Sequence, residues 1–485
     1  MSGIGHTGKF VGRTYDQTID GVLGNTAWAD SVVYYSFPTT KTEYSYSGFS
    51  TDISGIADNF SQISTQQKNL AHKFLDLSGG NNADDGFSIE GFTNLTISYT
   101  TATKAHLRFG QTTDPLVETA IAFKPNAADP GGDIWFDAAL DFRSPLIGDY
   151  EAQGLIHEIG HALGLEHGHE NSDYGALPFS EDSMEFSVMT YRSYIGSDAA
   201  FSYNEDFGFP QTYMMSDIAA LQKMYGADFT TNGGDTVYKW NPNSGDTLVN
   251  GQVALDASTN KIFATIWDGG GTDTYDLSAY TNGLTLDLGA GGHSQFSTTQ
   301  TAGLGAGNFA RGNIFNALLY NGSTASLIEN AIGGSGGDTI NGNQADNTIT
   351  GNGGNDTINA LSGDDTVYDG SGNDNVDLGS GNDTVIAGTG TDTFVGGTGT
   401  DHISYENSAG GVTLNLANNT VSGGEGTGDS ISGFENASGS SVAADTIYGS
   451  SADNIIKSLG GADWVFAGSG VDQVYGGDGN DTLIW

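Results

Sequence analysis

The 485-residue sequence predicts an α+β domain followed by an all-β parallel β-roll. Three observations predict it: a His-Glu-x-x-His stretch on a helical pattern, a change of composition after about residue 228, and a nine-residue period governing the remainder. Residues 1–25 read as a pro-segment or a ragged terminus, and 26–228 as the α+β domain. Linker strands and a first cation-binding module follow over 229–332, then a roll over 333–404. A duplicated intervening module over 405–439 precedes a second set of repeats over 440–485.

In the first domain, residues 31–37 (Ser-Val-Val-Tyr-Tyr-Ser-Phe) read as a strand. Leu70, Ala71, Phe74 and Leu75 have helical spacing, so a helix is expected over 64–77, capped by Ser64 or Thr65. Residues 95–99 and 105–109 alternate as strands do, and Ile134-Trp135-Phe136 after Pro130-Gly131-Gly132 adds another. Residues 215–226 place apolar side chains at 218, 221 and 224–225, one face of a helix that Gly226 ends.

The chemistry-bearing stretch is 157–167, His-Glu-Ile-Gly-His-Ala-Leu-Gly-Leu-Glu-His. His157 and His161 stand four apart, so on a helix their imidazoles share a face and can hold one zinc ion. Glu158 lies between them, placed to reach a water at that metal without ligating it. Gly164 lets the helix end in a left-handed turn, which can return His167 as a third nitrogen ligand. Three protein ligands leave a fourth position open, the pattern of a catalytic rather than a structural zinc. His169 lies outside this pattern and reads as an ordinary loop histidine.

Beyond residue 228 glycine, aspartate, asparagine and threonine dominate. Asp338, Asp356, Asp365, Asp374, Asp383, Asp392 and Asp401 fall on one nine-residue grid, with Asn347 in the remaining place. The grid resumes at Asp445, Asn454, Asp463, Asp472 and Asp481. Two residues after each position of the first run comes an apolar side chain, from Ile340 to Ile403. This matches the Gly-Gly-x-Gly-x-Asp-x-U-x nonapeptide of calcium-binding parallel rolls. Two nonapeptides make one eighteen-residue turn, so carboxylates such as those of Asp338 and Asp356 would approach each other. Calcium, a hard cation taking about six to eight oxygens, suits that meeting. Glycines such as Gly334, Gly336, Gly351 and Gly353 let the backbone turn tightly and present carbonyl oxygens.

Composition narrows the partners. With 59 acidic against 15 basic side chains the formal charge is −44, which repels nucleic acid and anionic membrane. After Arg311 only Lys457 is basic, so the repeat region needs cations to offset its own repulsion. The absence of cysteine excludes disulfides and thiolate metal sites. The first thirty residues carry no apolar run of the Sec-signal type, and no stretch is apolar enough to span a bilayer.

The zinc stretch resembles that of the metzincin zinc endopeptidases, and the chain resembles their serralysin branch. Ser187-Val188-Met189-Thr190-Tyr191 resembles the family's Met-turn, and residues 215–226 its closing helix. The resemblance implies a metzincin-type domain and a repeats-in-toxin roll, one catalytic zinc and several structural calcium ions. Met189 would form an apolar floor beneath the imidazoles; Tyr191 would be a further zinc ligand that swings away to hydrogen-bond the transition state. Residues 134–136 would be the exposed edge that pairs with an extended protein or peptide substrate. In the first calcium module, Asn232, Gly234, Thr236, Asp268, Gly270, Gly271, Asp273, Leu327 and Glu329 become ligand candidates. The resemblance of 399–436 to 268–330 extends this to Asp401 with Glu435.

It further implies a secreted monomer of bacterial origin, exported by a type I system without an N-terminal signal. The terminal Asp481-Thr482-Leu483-Ile484-Trp485, acid then apolar, is compatible with an exporter-read end. The likeness is strong over about residues 28–345 and generic afterwards, and Gly168 stands where the family usually has proline. The alternative reading is a calcium-dependent adhesive roll with a catalytically silent domain; intact Glu158 and three histidines argue against it.

Overall fold

The computed structural model describes residues 6–44, 46, 55–76, 86–127, 130–140, 142–199 and 204–485. The chain forms two compact units. The first holds Met1–Gly234, Asn243–Gly271 and Thr298–Ser326; the second holds Asp235–Pro242, Thr272–Ser297 and Leu327–Trp485. Residues 229–332 are therefore divided between the units.

The first unit is built on a five-stranded sheet: β1 (Val32–Ser36), β2 (Thr96–Tyr99), β3 (Leu107–Thr112), β4 (Ala120–Ala122) and β5 (Asp133–Asp137). Their order is β2-β1-β3-β5-β4, parallel except for the antiparallel β4–β5 pair. This corrects the expectation for residues 134–136. Ile134, Trp135 and Phe136 are buried inside the sheet, and the edge on that side is β4. The physical reason is that an unbroken apolar run must be covered on both faces, as interior strands are. The short Ala-Ile-Ala segment leaves a brief edge.

The longer helices among the described residues are α1 (Thr65–Leu75), α2 (Tyr150–Leu163), which packs on β4 and β5, and α3 (Met215–Tyr225). Ser64 and Gln67 close α1 with a reciprocal capping box, and Leu70, Ala71, Phe74 and Leu75 are its buried side chains. The expected end at Leu77 lies outside the described residues. Asp149 caps α2 by accepting the Ala152 N–H at 2.7 Å. Gly164 ends it at φ +118°, where a Cβ would lie 2.3 Å from the Thr26 carbonyl oxygen, so only glycine fits. Residues 6–25 belong to the same unit. Gly8–Phe10 pairs with Thr26–Trp28, and the Val22 carbonyl accepts the Glu166 N–H at 2.9 Å. Among the described residues no helix is long and apolar enough to cross a membrane.

The second unit is a stack of short parallel strands in two sheets. One runs through Thr274–Asp276, Asn330–Ile332, Thr348–Thr350, Thr366–Tyr368, Thr384–Ile386 and His402–Ser404. The other runs through Thr285–Asp287, Thr339–Asn343, Thr357–Leu361, Asn375–Asp377 and Thr393–Val395. Register advances by eighteen residues, Thr348 opposite Thr366 and Thr366 opposite Thr384. Ile340, Ile349, Ile358, Val367, Val376, Val385, Phe394 and Ile403 are fully buried, so the period-nine apolar residues are the core. Each such side chain contributes about 1.5–3 kcal/mol of burial. The intervening module continues the stack. Ser430–Ser432 pairs with Thr393–Val395, a Thr413–Asn415/Thr420–Ser422 hairpin follows, and Thr446–Tyr448 restarts the repeats.

Candidate active site and carboxylate ladder

α2 carries His157, Glu158 and His161, and the turn after Gly164 returns His167. One nitrogen of each imidazole lies within 4.8 Å of the others, and the His161 and His167 Nε2 atoms are 3.0 Å apart. Every Nδ1 is committed elsewhere. His157 Nδ1 donates to the Val188 carbonyl at 2.9 Å, His161 Nδ1 to the Leu165 carbonyl at 2.8 Å, and His167 Nδ1 faces Glu170 Oε2 at 3.3 Å. Neutral rings that donate through Nδ1 direct their Nε2 lone pairs towards a metal. A tetrahedral zinc with bonds of about 2.0–2.1 Å sets nitrogens about 3.3 Å apart, so the donor set fits that ion. Burial holds His157 down to about 3 and His161 well below the ordinary histidine range, with the neighbouring imidazoles adding to it. Both rings therefore stay neutral, as ligands must.

Glu158 lies beside this centre, buried, and burial pushes its carboxyl up to about 8. The backbone of Ala122 on the edge strand β4 hydrogen-bonds the Glu158 carboxylate, while Oε2 has no partner. The general-base candidate is thus held by the strand that borders the cleft. That cleft measures about 330 Å³ and is lined by Ala120, Ile121, Ala122, Glu158, His161, His167 and Tyr191, among others.

Met189 is fully buried, and a Cβ on Gly160 would come within 2.7 Å of its sulfur, so the thioether sits directly against α2. Asp217 holds the turn: it accepts the Ser187 hydroxyl at 2.6 Å and the Val188 and Met214 N–H groups at 2.7 and 3.0 Å. Burial raises its carboxyl to about 7. Gly168 donates its N–H to the Met189 carbonyl at 3.2 Å, a bond that proline could not make. A Cβ there would also crowd Leu177.

The Tyr191 ring stands 4.7 Å from that of His167 and 5.5 Å from that of His157. His169, expected to have no role, packs its ring tilted against that of Tyr191 at 4.4 Å and accepts the Tyr191 N–H at Nδ1. Spacing could not reveal that contact. Nor could it reveal Asp217, Ala122 or the Lys124–Glu166 ion pair at the cleft wall, whose partners are distant in sequence.

In the roll one hydrogen bond recurs. Within each run the N–H of a grid residue donates to Oδ1 of the aspartate eighteen residues on, until Asp392 and Asp401 end the first run: Asp338 to Asp356, Asp356 to Asp374, Asp374 to Asp392, Asn347 to Asp365, Asp365 to Asp383 and Asp383 to Asp401. Asp445 to Asp463, Asn454 to Asp472 and Asp463 to Asp481 repeat it. The second oxygens of Asp356, Asp365, Asp374, Asp383, Asp392, Asp401 and Asp463 are buried without a partner. Rows of buried, unpartnered carboxylate oxygens are what a calcium ion would satisfy. Asp338 and Asp445 differ. Both oxygens of Asp338 accept N–H groups, from Leu284 and Gly334, and those of Asp445 from Val412 and Ser440. These two open each ladder and offer a metal less than the sequence suggested. Gly334 thus serves as an amide donor; a Cβ on Gly336 would strike Asn282 and Gly283, and Gly353 bridges to Ser371. A Cβ on Gly351 would fall 2.5 Å from Asp356 Oδ2, so that glycine lets the backbone approach the ladder.

Of the first-module candidates, Asn232, Gly234, Asp268, Gly270 and Gly271 fall in the first unit, and Thr236, Asp273, Leu327 and Glu329 in the second. Within the second unit Asp273 Oδ1 accepts the Thr236 N–H at 2.8 Å, and Glu329 Oε2 accepts the Asp273 N–H at 2.8 Å. Asp401 and Glu435 repeat that last bond at 3.0 Å. Asn347 donates to the Glu329 carbonyl, as Asn454 does to that of Glu435. The duplication is therefore one of hydrogen bonding as well as of sequence.

Comparison with known proteins agrees. Residues 332–367, 368–403 and 448–483 match the family model of the RTX calcium-binding nonapeptide repeat. Serralysin C of Dickeya chrysanthemi is 37% identical over 228 residues, 46% of this chain and 42% of the relative. Metalloprotease AprA of Pseudomonas entomophila is 33% identical over 250 residues, 49% of this chain and 47% of the relative. Serralysin of Proteus mirabilis is 32% identical over 356 residues, 70% of this chain and 64% of the relative. The chain thus spans less than half of the first two relatives and under two thirds of the third. With the three converging imidazoles and the carboxylate ladder, these likenesses mark the chain as serralysin-like, with RTX calcium-binding repeats.

Proposed function

We propose that the protein is a secreted zinc endopeptidase that cleaves peptide bonds of extracellular proteins and folds its roll on calcium. The observation that carries this is the set of three imidazoles with every Nδ1 committed, next to a buried carboxylate tethered to the edge strand. When bound, zinc supplies Lewis acidity that polarises a scissile carbonyl and lowers the pKa of a water from about 15.7 towards 7. An extended substrate adds to β4, its carbonyl presented between Glu158 and Tyr191. Glu158 takes the proton of the attacking water and passes it to the departing amine. Tyr191, whose phenol burial and the Glu158 charge keep protonated, donates a hydrogen bond to the developing oxyanion.

Asp356, Asp365, Asp374, Asp383, Asp392, Asp401, Asp463, Asp472 and Asp481 serve calcium through the ladder. At low calcium the acidic roll stays unfolded, which suits export of a cysteine-free chain by a type I system; outside, calcium supplies the folding energy. The chain acts as a monomer. The test is casein hydrolysis in excess calcium, before and after zinc-selective chelation, with Glu158→Gln as control. Activity lost to the chelator, restored by zinc and absent in the variant is expected. Inactivity of a folded, zinc-loaded protein would refute the peptidase and leave the roll as the working part.

A further inference from the structure

One turn of the roll departs from its neighbours. In the column of turns that carries Asp338, Asp356, Asp374 and Asp392, the residue five before each grid aspartate is Gly333, Gly351, Asp369 and Ala387. Only Asp369 brings a charge to that place. Its side chain is fully buried; Oδ1 accepts the Gly388 N–H at 2.8 Å, and Oδ2 has no partner. Asp374 and Asp392 are equally buried, each with an unpartnered Oδ2. One oxygen from each of the three lies within 4.8 Å of the others. Among the described residues of the roll, no other grid aspartates gather a third carboxylate in this way.

We propose that Asp369, Asp374 and Asp392 form a three-carboxylate calcium site, distinct from the two-carboxylate steps around it, and that it fills first as calcium rises. The inference rests on the calcium-roll reading above. Calcium affinity rises with the number of charged ligands and with the rigidity of the site. Here the charge count favours this turn, while its rigidity matches that of its neighbours, each carboxylate being already fixed through Oδ1 to a backbone amide. Repeat stacks fold by propagation from whichever turn is most stable, so an ion held here would set the point from which the roll grows. Asp429 adjoins the site, accepting the Asp392 N–H and the Tyr405 hydroxyl, which brings one buried tyrosine close to the ion.

That tyrosine makes the site readable. Terbium is titrated into the calcium-free full chain, and the sensitised emission that Tyr405→Phe abolishes is assigned to this site. In Asp369→Asn, and in Asp369→Gly, which restores the glycine of the two preceding turns, its midpoint should move tenfold or more to higher terbium. The remaining emission should keep its midpoint. Far-ultraviolet dichroism in saturating calcium checks that each variant forms the roll. Titrations that superimpose on the parent overturn the proposal, as does a Tyr405-dependent phase that fills last. If the parent takes up no terbium or calcium at all, the calcium-roll reading itself falls.

Discussion

The two units hold their polar atoms in opposite ways. In the first, each polar group is fixed by a different partner, most of them distant in sequence: His157 by Val188, Glu158 by Ala122 and the Met-turn by Asp217, with His161 held locally by Leu165. In the second, one bond between residues eighteen apart recurs at 2.7–3.1 Å along both columns. A unique constellation fails at a single lesion, whereas a ladder shares its losses among the turns. The contrast can be broken or sharpened by experiment.

The largest effect is expected at Glu158. Glu158→Gln should lower kcat by roughly 10³-fold, within the range for loss of a general base. Zinc content should stay at one per chain, because the imidazoles and their Nδ1 partners are untouched. Steady-state kinetics with metal analysis checks both. Loss of zinc together with activity would mean that Glu158 is structural.

Next is Asp217, which is fully buried and accepts three hydrogen bonds. Asp217→Ala strands a hydroxyl and two amides and should cost about 3 kcal/mol. Asp217→Asn keeps one acceptor and should cost roughly half of that. Urea unfolding monitored by tryptophan emission reads the difference, and equal costs would show that hydrogen bonding at this position is incidental.

The roll should answer to pH through many equivalent carboxylates at once. Burial, joined by neighbouring carboxylates, raises Asp356 and Asp365 from 3.8 to about 7, and Asp374 and Asp383 to about 6. A folded-state pKa above the unfolded one means that the folded roll binds more protons. Its stabilisation is fully present below about pH 4 and lost as pH rises through 6 to 7. Without calcium, β-sheet dichroism should therefore grow as pH falls from 8 to 4, and calcium should abolish that dependence. A calcium-free roll that is equally folded at both ends of the range would contradict it.

How much of this was legible depended on whether the signal was local. The repeat period reports its own core and ladder, since each residue meets its equivalent eighteen positions on. Helix α2 and the return of His167 were legible for the same reason, through spacing and Gly164. The edge strand was not. Trp135 advertised a strand but not its neighbours, and β4 is too short and too plain in composition to stand out. His169, Asp217 and Gly168 act through contacts that only packing creates. The second oxygens of Asp338 and Asp445 are spent on amides supplied by the start of each ladder, which no grid position reveals.

The smallest effect should appear where the ladder replaces a carboxylate by an amide. Asn347 accepts the Asn343 N–H at 2.8 Å and donates through Nδ2 to the Glu329 carbonyl at 2.9 Å. Where other rungs leave an oxygen for calcium, this one closes on the backbone by itself, and Asn454 does likewise against Glu435. In Asn347→Asp an acceptor would face an acceptor. About 1–2 kcal/mol should be lost without calcium, the cost of one unsatisfied buried group. Excess calcium should return part of it, since the new carboxylate adjoins the Asp365 rung. Denaturation of the variant with and without calcium reads both numbers. A loss that calcium does not reduce would mean that this position caps the roll and has no ion near it; full recovery would mean that it is an ordinary rung in which the amide is a neutral replacement.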